Sequence, residues 1–166
     1  LLRFARDDDD LAVATQNPTI AQRGVALLPR HPVSRNTPIE QAIAAGMPPV
    51  SIRLRALETV LVNLLLNAAD AMPRGGRITI AVGPGADAGW VELSVTDTGT
   101  GIPPELLSRI FEPFFTTKDA DRGTGLGLAV CRTIVESHGG RLEVGSEPGQ
   151  GACFRIALPP SPDERT

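Results

Sequence analysis

The sequence predicts an α+β fold, a two-layer α/β sandwich in which helices cover one face of a mixed sheet. Three observations predict it: one long amphipathic helix, alternating strand-like segments on both sides of it, and no regular strand–helix–strand alternation. The 166 residues are 42% apolar and 21% charged, a balance that suits one folded domain with a mainly aliphatic core.

The predicted elements follow one another closely along the chain. The long helix is the clearest, because apolar residues recur at three- and four-residue spacing until Pro73, Gly75 and Gly76 stop it. In chain order the prediction gives a helix over 20–28, strands over 37–44 and 49–52, the long helix over 54–72, strands over 77–82 and 90–96, a short helix over 103–111, a helix over 126–138, and strands over 141–146 and 152–158.

Three regions are predicted for the chain as a whole. Residues 1–19 read as the end of a helix followed by an acidic linker, because four consecutive aspartates follow an apolar helical segment. Residues 20–160 form the folded domain, and residues 161–166 form a flexible, proline-containing tail. The chain is interpreted as a piece of a longer protein.

Composition excludes several classes of partner. The formal charge of −3 and the absence of a lysine- or arginine-rich block exclude a nucleic-acid partner. The longest nearly apolar run, residues 60–69, is interrupted by two asparagines and is too short to cross a bilayer, so no direct membrane contact is expected. Cys131 and Cys153 are isolated in apolar surroundings, which favours buried free thiols and a cytoplasmic location.

Asn63 and Asn67 lie one helical turn apart on the long helix, so both amides project from the same side. Amide oxygens suit a magnesium ion that takes the rest of its ligands from water and nucleotide phosphates. The alternative is that the two amides bond neighbouring backbone groups.

Asp97, Gly99 and Gly101 follow a predicted strand. The glycines allow the backbone to approach a flat ligand, and the aspartate can accept a hydrogen bond from the amino group of adenine. The alternative is a strand-to-helix turn closed by an Asx bond.

The segment Gly123-Thr124-Gly125-Leu126-Gly127-Leu128 opens directly into a helix. Exposed amides at a helix start bind phosphate oxygens, although an ordinary glycine-rich loop with a helix cap is the alternative. Residues 111–127 combine aromatic residues at one end with glycines at the other. This segment, which we call the lid, is predicted to pack down over a ligand or to lift away, and to be mobile without nucleotide.

Together these motifs resemble those of the histidine-kinase branch of the ATPase superfamily that includes gyrase and the heat-shock chaperones. The resemblance covers roughly residues 38–159. Within the histidine kinases, the chain resembles the nitrogen-regulation-like subgroup. It rests on an asparagine box from Asn63 to Ala71, a first glycine box Asp97-x-Gly99-x-Gly101, a phenylalanine box Phe111-Glu112-Pro113-Phe114-Phe115, and a second glycine box Gly123-x-Gly125-x-Gly127.

The resemblance implies a Bergerat-type ATP-binding fold with ATP and Mg²⁺ as cofactors. It implies that Asn63 and Asn67 serve the metal, that Asp97 reads adenine, and that Lys118 meets the terminal phosphate. The implied catalytic residues are Asn63, Asn67 and Lys118. The implied nucleotide contacts are Asn67, Asp70, Asp97, Gly99, Gly101, Ile102, Phe115, Thr116, Lys118, Gly123, Thr124, Gly125, Leu126, Gly127 and Leu128.

The resemblance also implies partners. Residues 1–6 look like the end of a dimerisation helix, so the expected partners are an upstream histidine-containing dimerisation domain, a response-regulator receiver domain and a second copy in a homodimer. A membrane anchor elsewhere in the parent protein is compatible with these expectations. His31 is interpreted as a surface histidine and His138 as a partner of its own helix carbonyls, and neither as the phosphoacceptor.

Asn63 stands where related hydrolases carry a glutamate, and an amide cannot act as a base, so phosphoryl transfer is favoured over hydrolysis. Asp70, Arg53 and Ala152 depart from the usual lysine, aspartate and threonine of the family. These departures keep open a nucleotide-sensing pseudokinase that binds without transfer. An anti-sigma-type serine kinase is the third alternative.

Overall fold

The sheet contains five strands in a computed structural model that describes residues 37–118 and 123–161. The strands are β1 (Ile39–Ile43), β2 (Ile78–Pro84), β3 (Val91–Asp97), β4 (Arg141–Ser146) and β5 (Ala152–Leu158). Their order across the sheet is β1-β2-β3-β5-β4. β1 and β2 are parallel and the other neighbours are antiparallel, which confirms the predicted mixed sheet.

Within residues 37–118 and 123–161, three helices accompany the sheet: α1 (Leu54–Asp70), α2 (Pro104–Leu107) and α3 (Gly127–Ser137). α1 and α3 contact each other, and they also contact strands of the sheet, α1 at β2 and β3 and α3 at β4. The two longer helices therefore form one layer over one face of the sheet. This arrangement confirms the predicted two-layer sandwich.

The hydrophobic core lies between these layers. On α1 the buried residues recur at three- and four-residue spacing, as an amphipathic helix requires: Leu57, Val60, Leu61, Leu64, Leu65 and Ala68. On β3 burial alternates with period two, through Val91, Leu93 and Val95 to Asp97. Asp97 therefore lies on the core side of the sheet, where the alternation of the strand directs its carboxyl group beneath the helical layer.

One predicted helix is too long, and one predicted strand is wrong. The short helix predicted over 103–111 ends at Leu107. The following residues form turns, in which an N–H donates to the carbonyl three residues earlier, as Arg109 N–H does to Leu106 O. Pro113 lies just beyond, and a proline disfavours helical geometry in the residue before it. The strand predicted over 49–52 is only an isolated bridge between Val50 and Pro160, because Pro49 has no N–H to donate to a ladder.

The other helices and strands between residues 37 and 158 are confirmed, with ends that differ by at most two residues. The acidic run, the helix predicted over 20–28 and His31 lie outside the described residues. Of the predicted tail only Ser161 is described: it is buried, and its N–H donates to Pro49 O at 2.9 Å.

The two cysteines differ in burial. Cys131 on α3 is fully buried and its thiol donates to Val60 O at 3.7 Å; burial raises the pKa of this thiol to about 12. Cys153 on β5 is also free but only half-buried. The prediction of two buried free thiols is thus confirmed for Cys131 alone. Within the described ranges, no helix combines the length and apolar character needed to span a bilayer.

α1 begins without a capping side chain. Arg53 occupies the N-cap position in an extended conformation, makes no side-chain hydrogen bond to the first turn, and no acidic residue follows it there. A cationic residue at this end also opposes the helix dipole. The first turn of α1 therefore lacks the stabilisation that a capping side chain or an acidic residue would give, and α1 depends on the burial of its apolar residues.

We expect Arg53→Asp to raise the free energy of unfolding by about 1 kcal/mol, because its carboxylate accepts hydrogen bonds from free N–H groups of the first turn. Urea unfolding followed by circular dichroism measures the change. Arg53→Ala is the matched control, since it removes the cation without supplying a cap. An equal gain in both variants would contradict the capping explanation.

Candidate functional site

The C-terminal half of α1 forms one wall of the site. Asn63 and Asn67 are both half-buried and lie one turn apart, and Asp70 follows on the next turn. From Asn63 to Ala71, just past the helix end, the helical rise gives a length of about 12 Å. The loops that carry the other candidate residues meet this wall at three places along its length.

The side chain of Asn63 marks the first of these places. Its Nδ2 donates to Thr59 O at 2.9 Å, which is the local backbone bond left open as an alternative. The other end of the amide, Oδ1, faces the start of α3, where a Cβ on Gly127 would lie only 2.9 Å from it. The local bond therefore uses the amide nitrogen alone, and the oxygen points toward the second glycine box.

Asn67, Asp70 and Lys118 form the second place. The Lys118 ammonium donates to Asp70 Oδ2 at 2.5 Å and to Asn67 Oδ1 at 3.3 Å. The side chains of Lys118 and Asp70 are 33% and 45% exposed, so this ion pair is half-shielded from water. Two oxygen atoms of α1 thus already hold a positive charge, which is the property that a cation site requires.

Asp97 lies at the third place, near the end of α1. Its Oδ1 accepts two backbone N–H groups, from Gly99 at 2.8 Å and from Ala152 at 3.3 Å. Burial raises the pKa of this carboxyl group, and the two N–H donors lower it by a smaller amount. Because both bonds use Oδ1, Oδ2 is the oxygen available to a ligand.

The first glycine box packs tightly against other backbone segments. Thr100 N–H donates to Ala71 O at 3.1 Å, and a Cβ on Gly99 would lie 2.5 Å from that same oxygen. Gly101 has φ +72°, and a Cβ there would collide with the Glu147 carbonyl. Gly99 and Gly101 are thus required for contacts within the protein, in addition to any approach by a ligand.

Sequence reasoning missed a hydrogen-bonded support behind this loop. Ile102 N–H donates to Ser146 Oγ at 2.8 Å, and this hydroxyl donates to Gly151 O at 2.7 Å. The support connects the first glycine box to the β4–β5 hairpin. The glycines around Gln150 were the available signal, since they indicated a tight turn at the end of β4.

The aromatic end of the lid contacts the second glycine box, which forms the other end of the lid. Phe114 N–H donates to Gly125 O at 2.9 Å, and a Cβ on Gly123 would lie 2.8 Å from Thr116 Oγ1. Gly125 has φ +69° and leaves no room for a side chain next to the Phe114 backbone. The two predicted motifs are therefore in contact, although residues 119–122 between them lie outside the description.

Aromatic packing fixes the start of the lid. Phe111 packs edge-on against Phe154, with ring centroids 6.4 Å apart. The Arg132 guanidinium lies 5.5 Å from the centroid of the Phe111 ring. The Arg109 guanidinium lies 4.6 Å from the centroid of Phe115. These cation–π contacts were not predicted, because their partners are separated in sequence.

The remaining predicted contact residues differ in burial. Ile102, Phe115 and Leu128 are half-buried and pack against the core, whereas Thr124 and Leu126 are exposed at the start of α3. His138 is confirmed as a partner of its own helix, since its Nδ1 lies 2.7 Å from Ile134 O. The structure thus brings both glycine boxes and Lys118 to α1 and its C-terminal end, and the phenylalanine box contacts the second glycine box.

Comparison with known proteins identifies this arrangement. The model of the family described as histidine kinase-, DNA gyrase B- and HSP90-like ATPase matches residues 53–162. The chain belongs to this family. It is the catalytic, ATP-binding domain of a histidine kinase, with the α/β Bergerat fold.

Relatives of this histidine-kinase domain agree with the assignment. It is 47% identical to sensor kinase CckA of Brucella abortus over 124 residues, 67% of this chain and 13% of that protein. It is 43% identical to adaptive-response sensory kinase SasA of Synechococcus sp. CC9902 over 130 residues, 76% of this chain and 34% of that protein. The chain thus spans about a third or less of these curated relatives.

Solved structures give the same result. A mycobacterial sensor histidine kinase, MprB, is 31% identical with a TM-score of 0.70, and the match covers 85% of this chain and 92% of that one. The catalytic domain of histidine kinase ThkA is 30% identical with a TM-score of 0.75, and the match covers 90% and 96%. Membership of the nitrogen-regulation-like subgroup stays a prediction.

The raised pKa of Asp97 gives a test of its burial. The buried carboxyl group stabilises the fold fully while it is protonated in both states, at pH below its ordinary value of 3.8. That contribution is lost as the pH rises through the higher pKa of the folded state. An asparagine keeps the acceptor oxygen and never ionises.

Asp97→Asn should therefore gain stability relative to the wild type as the pH rises from 3 to 7. Urea unfolding of both proteins across this range measures the difference, in which other titrating groups cancel. A difference that stays flat, or that falls with pH, would show that burial does not dominate at Asp97.

Proposed function

We propose that this domain binds Mg-ATP and transfers its γ-phosphoryl group to a histidine on an upstream dimerisation domain, for relay to a response-regulator aspartate. One observation carries the proposal. α1 presents amide oxygens, a carboxylate and a backbone carbonyl in a row, and the two glycine boxes and the lid meet that row. Such a row suits an extended ligand with a base at one end and phosphates at the other.

We assign the base end to Asp97, whose Oδ2 accepts the adenine amino group. Gly99, Gly101 and Ile102 line the base beside it. We assign the phosphate end to Asn63, Asn67 and the start of α3, where the free backbone N–H groups of an 11-residue helix attract anionic oxygens. The phosphate end also includes Asp70, Phe115, Thr116, Lys118, Gly123, Thr124, Gly125, Leu126, Gly127 and Leu128.

We assign the magnesium ion to Asn67, with Asn63 beside it. The fit rests on charge and chemistry: Asn67 and Asp70 already share the Lys118 ammonium, and the Asn63 oxygen faces the glycine box. When bound, Mg²⁺ would neutralise the negative charge of the phosphate oxygens. The side chains of the chain itself orient the triphosphate and exclude water from it.

Transfer is favoured over hydrolysis by the chemistry of Asn63. An amide cannot take a proton from water, and its nitrogen is already bonded to Thr59 O. The buried carboxyl group of Asp97 lies at the proposed adenine end of the site, away from the phosphates. Phosphoryl transfer depends mainly on alignment and charge neutralisation, which amide side chains, backbone N–H groups and the Lys118 ammonium can supply.

The properties of the whole protein belong to this proposal, because the chain spans only part of its relatives. We place the domain in the cytoplasm, in a homodimeric kinase whose other segments are compatible with a membrane anchor. The Phe-Phe-Thr-Thr-Lys sequence at residues 114–118 supports the nitrogen-regulation-like subgroup. His31 and His138 are not the acceptors.

The proposal predicts an acid-labile, base-stable label on the dimerisation domain when this chain, that domain and γ-labelled ATP are mixed. Asn67→Ala should reduce the initial rate about 100-fold or more, by losing charge neutralisation at the phosphates. Nucleotide binding without any label, with the partner shown to be folded, would replace the kinase by a pseudokinase. A label on serine would indicate a serine kinase.

Base recognition predicts a second result for Asp97→Asn. The Gly99 and Ala152 N–H groups keep the amide oxygen, so the asparagine NH₂ faces the ligand, donor against donor. We expect ATP affinity to fall roughly 10- to 100-fold while the fold is retained. Calorimetric titration measures the loss, and unchanged affinity would refute this role of Asp97.

A further inference from the structure

We propose that Asp70 is a positioning residue that holds the lid cation Lys118 beside Asn67 until Mg-nucleotide displaces it. The inference rests on the proposed function, because it concerns how the same site is loaded. It assigns to Asp70 a task different from contact with nucleotide. Asp70 and Lys118 are 48 residues apart in sequence, so their ion pair joins the lid directly to α1.

The geometry supports competition between the ammonium and a metal ion. Lys118 Nζ lies 2.5 Å from Asp70 Oδ2 and 3.3 Å from Asn67 Oδ1, so one cation is shared by two oxygen ligands of α1. Asn67 is the proposed magnesium ligand. While Lys118 donates to the Asn67 oxygen, one of its two lone pairs is engaged and the ammonium charge repels a metal ion at the other, so metal binding at Asn67 favours displacement of the ammonium.

The local contacts of Lys118 also support a stored position. Its backbone N–H donates to Thr116 Oγ1 at 3.0 Å, and a Cβ on Gly123 would lie 3.1 Å from Lys118 Cβ. The base of the side chain is thus held by the lid itself, and its tip by α1. Release of the tip leaves the ammonium on the lid, free to turn from the carboxylate to phosphate oxygens.

The departure at residue 70 gains a physical meaning from this arrangement. A lysine on α1 would supply a permanently placed phosphate cation. Here the helix carries the carboxylate and the lid carries the cation, so the positive charge reaches the phosphates only when the lid is in place. Asp70 keeps that charge close to the site in the absence of ligand, and its own charge is neutralised by the same contact.

The first experiment needs no nucleotide. Hydrogen exchange of the amides of residues 115–118 should accelerate about two- to fivefold in Asp70→Asn and in Lys118→Met, the range for one half-exposed ion pair. The double variant should be no faster than either single one, and Asp70→Lys combined with Lys118→Asp should restore slow exchange. Unchanged exchange in Asp70→Asn, or additive effects in the double variant, would overturn the proposal.

The second experiment titrates Mg²⁺ at fixed ATP. Asp70→Asn should lower the midpoint about two- to fivefold, because Asn67 is released, but should not lower it in the Lys118→Met background. An equal decrease in both backgrounds would mean simple repulsion between Asp70 and phosphate, and would overturn the proposal. Failure of the wild type to bind ATP would refute the proposed function instead, and the exchange result would still decide the Asp70–Lys118 contact.

Glu40→Gln is the matched control in both experiments. Glu40 forms an ion pair of 3.4 Å with Arg77, with 58% and 57% of the side chains exposed, on β1 at the edge of the sheet. The variant changes net charge by the same amount as Asp70→Asn. It should leave lid exchange and the magnesium midpoint unchanged, and a shift equal to that of Asp70→Asn would assign the effect to net charge.

Discussion

The carbonyl oxygen of Ala71 is the contact on which the geometry of the site depends. It accepts the Thr100 N–H, and Gly99 packs directly against it. Since α1 is anchored by its buried leucines, this contact sets the distance between the loop after β3 and the amides of α1. Asp97 and Asn67 come from separate elements. The Ala71 contact helps to fix their relative position.

The polar residues of the site follow from the periods of their elements. On α1, Asn63 and Asn67 use the same four-residue spacing as the buried stripe but lie beside it, which leaves them half-buried. On β3, Asp97 continues the buried alternation and meets the cost of burial with two backbone donors. A helix thus supplies amide oxygens at the proposed phosphate end, and a strand supplies a buried carboxyl acceptor at the proposed adenine end.

Sequence reasoning reached the fold and the four motifs because their signals are local: apolar spacing, glycines and turn residues. It overestimated α2, where Pro113 acts from outside the predicted segment, and the strand at 49–52, where Pro49 removes a donor. It left the role of Asn63 between two alternatives: the structure shows the bond to the Thr59 backbone, and the metal role stays a proposal. The ion pair of Asp70 with Lys118 had no local signal, because only the fold brings these residues together.

Placing the cation on the lid changes how the site responds to its ligands. A lysine on α1 would favour phosphate equally in every position of the lid. The contact of Lys118 with Asn67 and Asp70 instead makes metal binding and release of the lid cation parts of one equilibrium. By linkage, if displacement of Lys118 by Mg-nucleotide changes the affinity of a partner for the lid, that partner changes the affinity for Mg-nucleotide by the same factor. A dimerisation domain that contacts the lid would therefore control nucleotide loading through this single half-exposed ion pair.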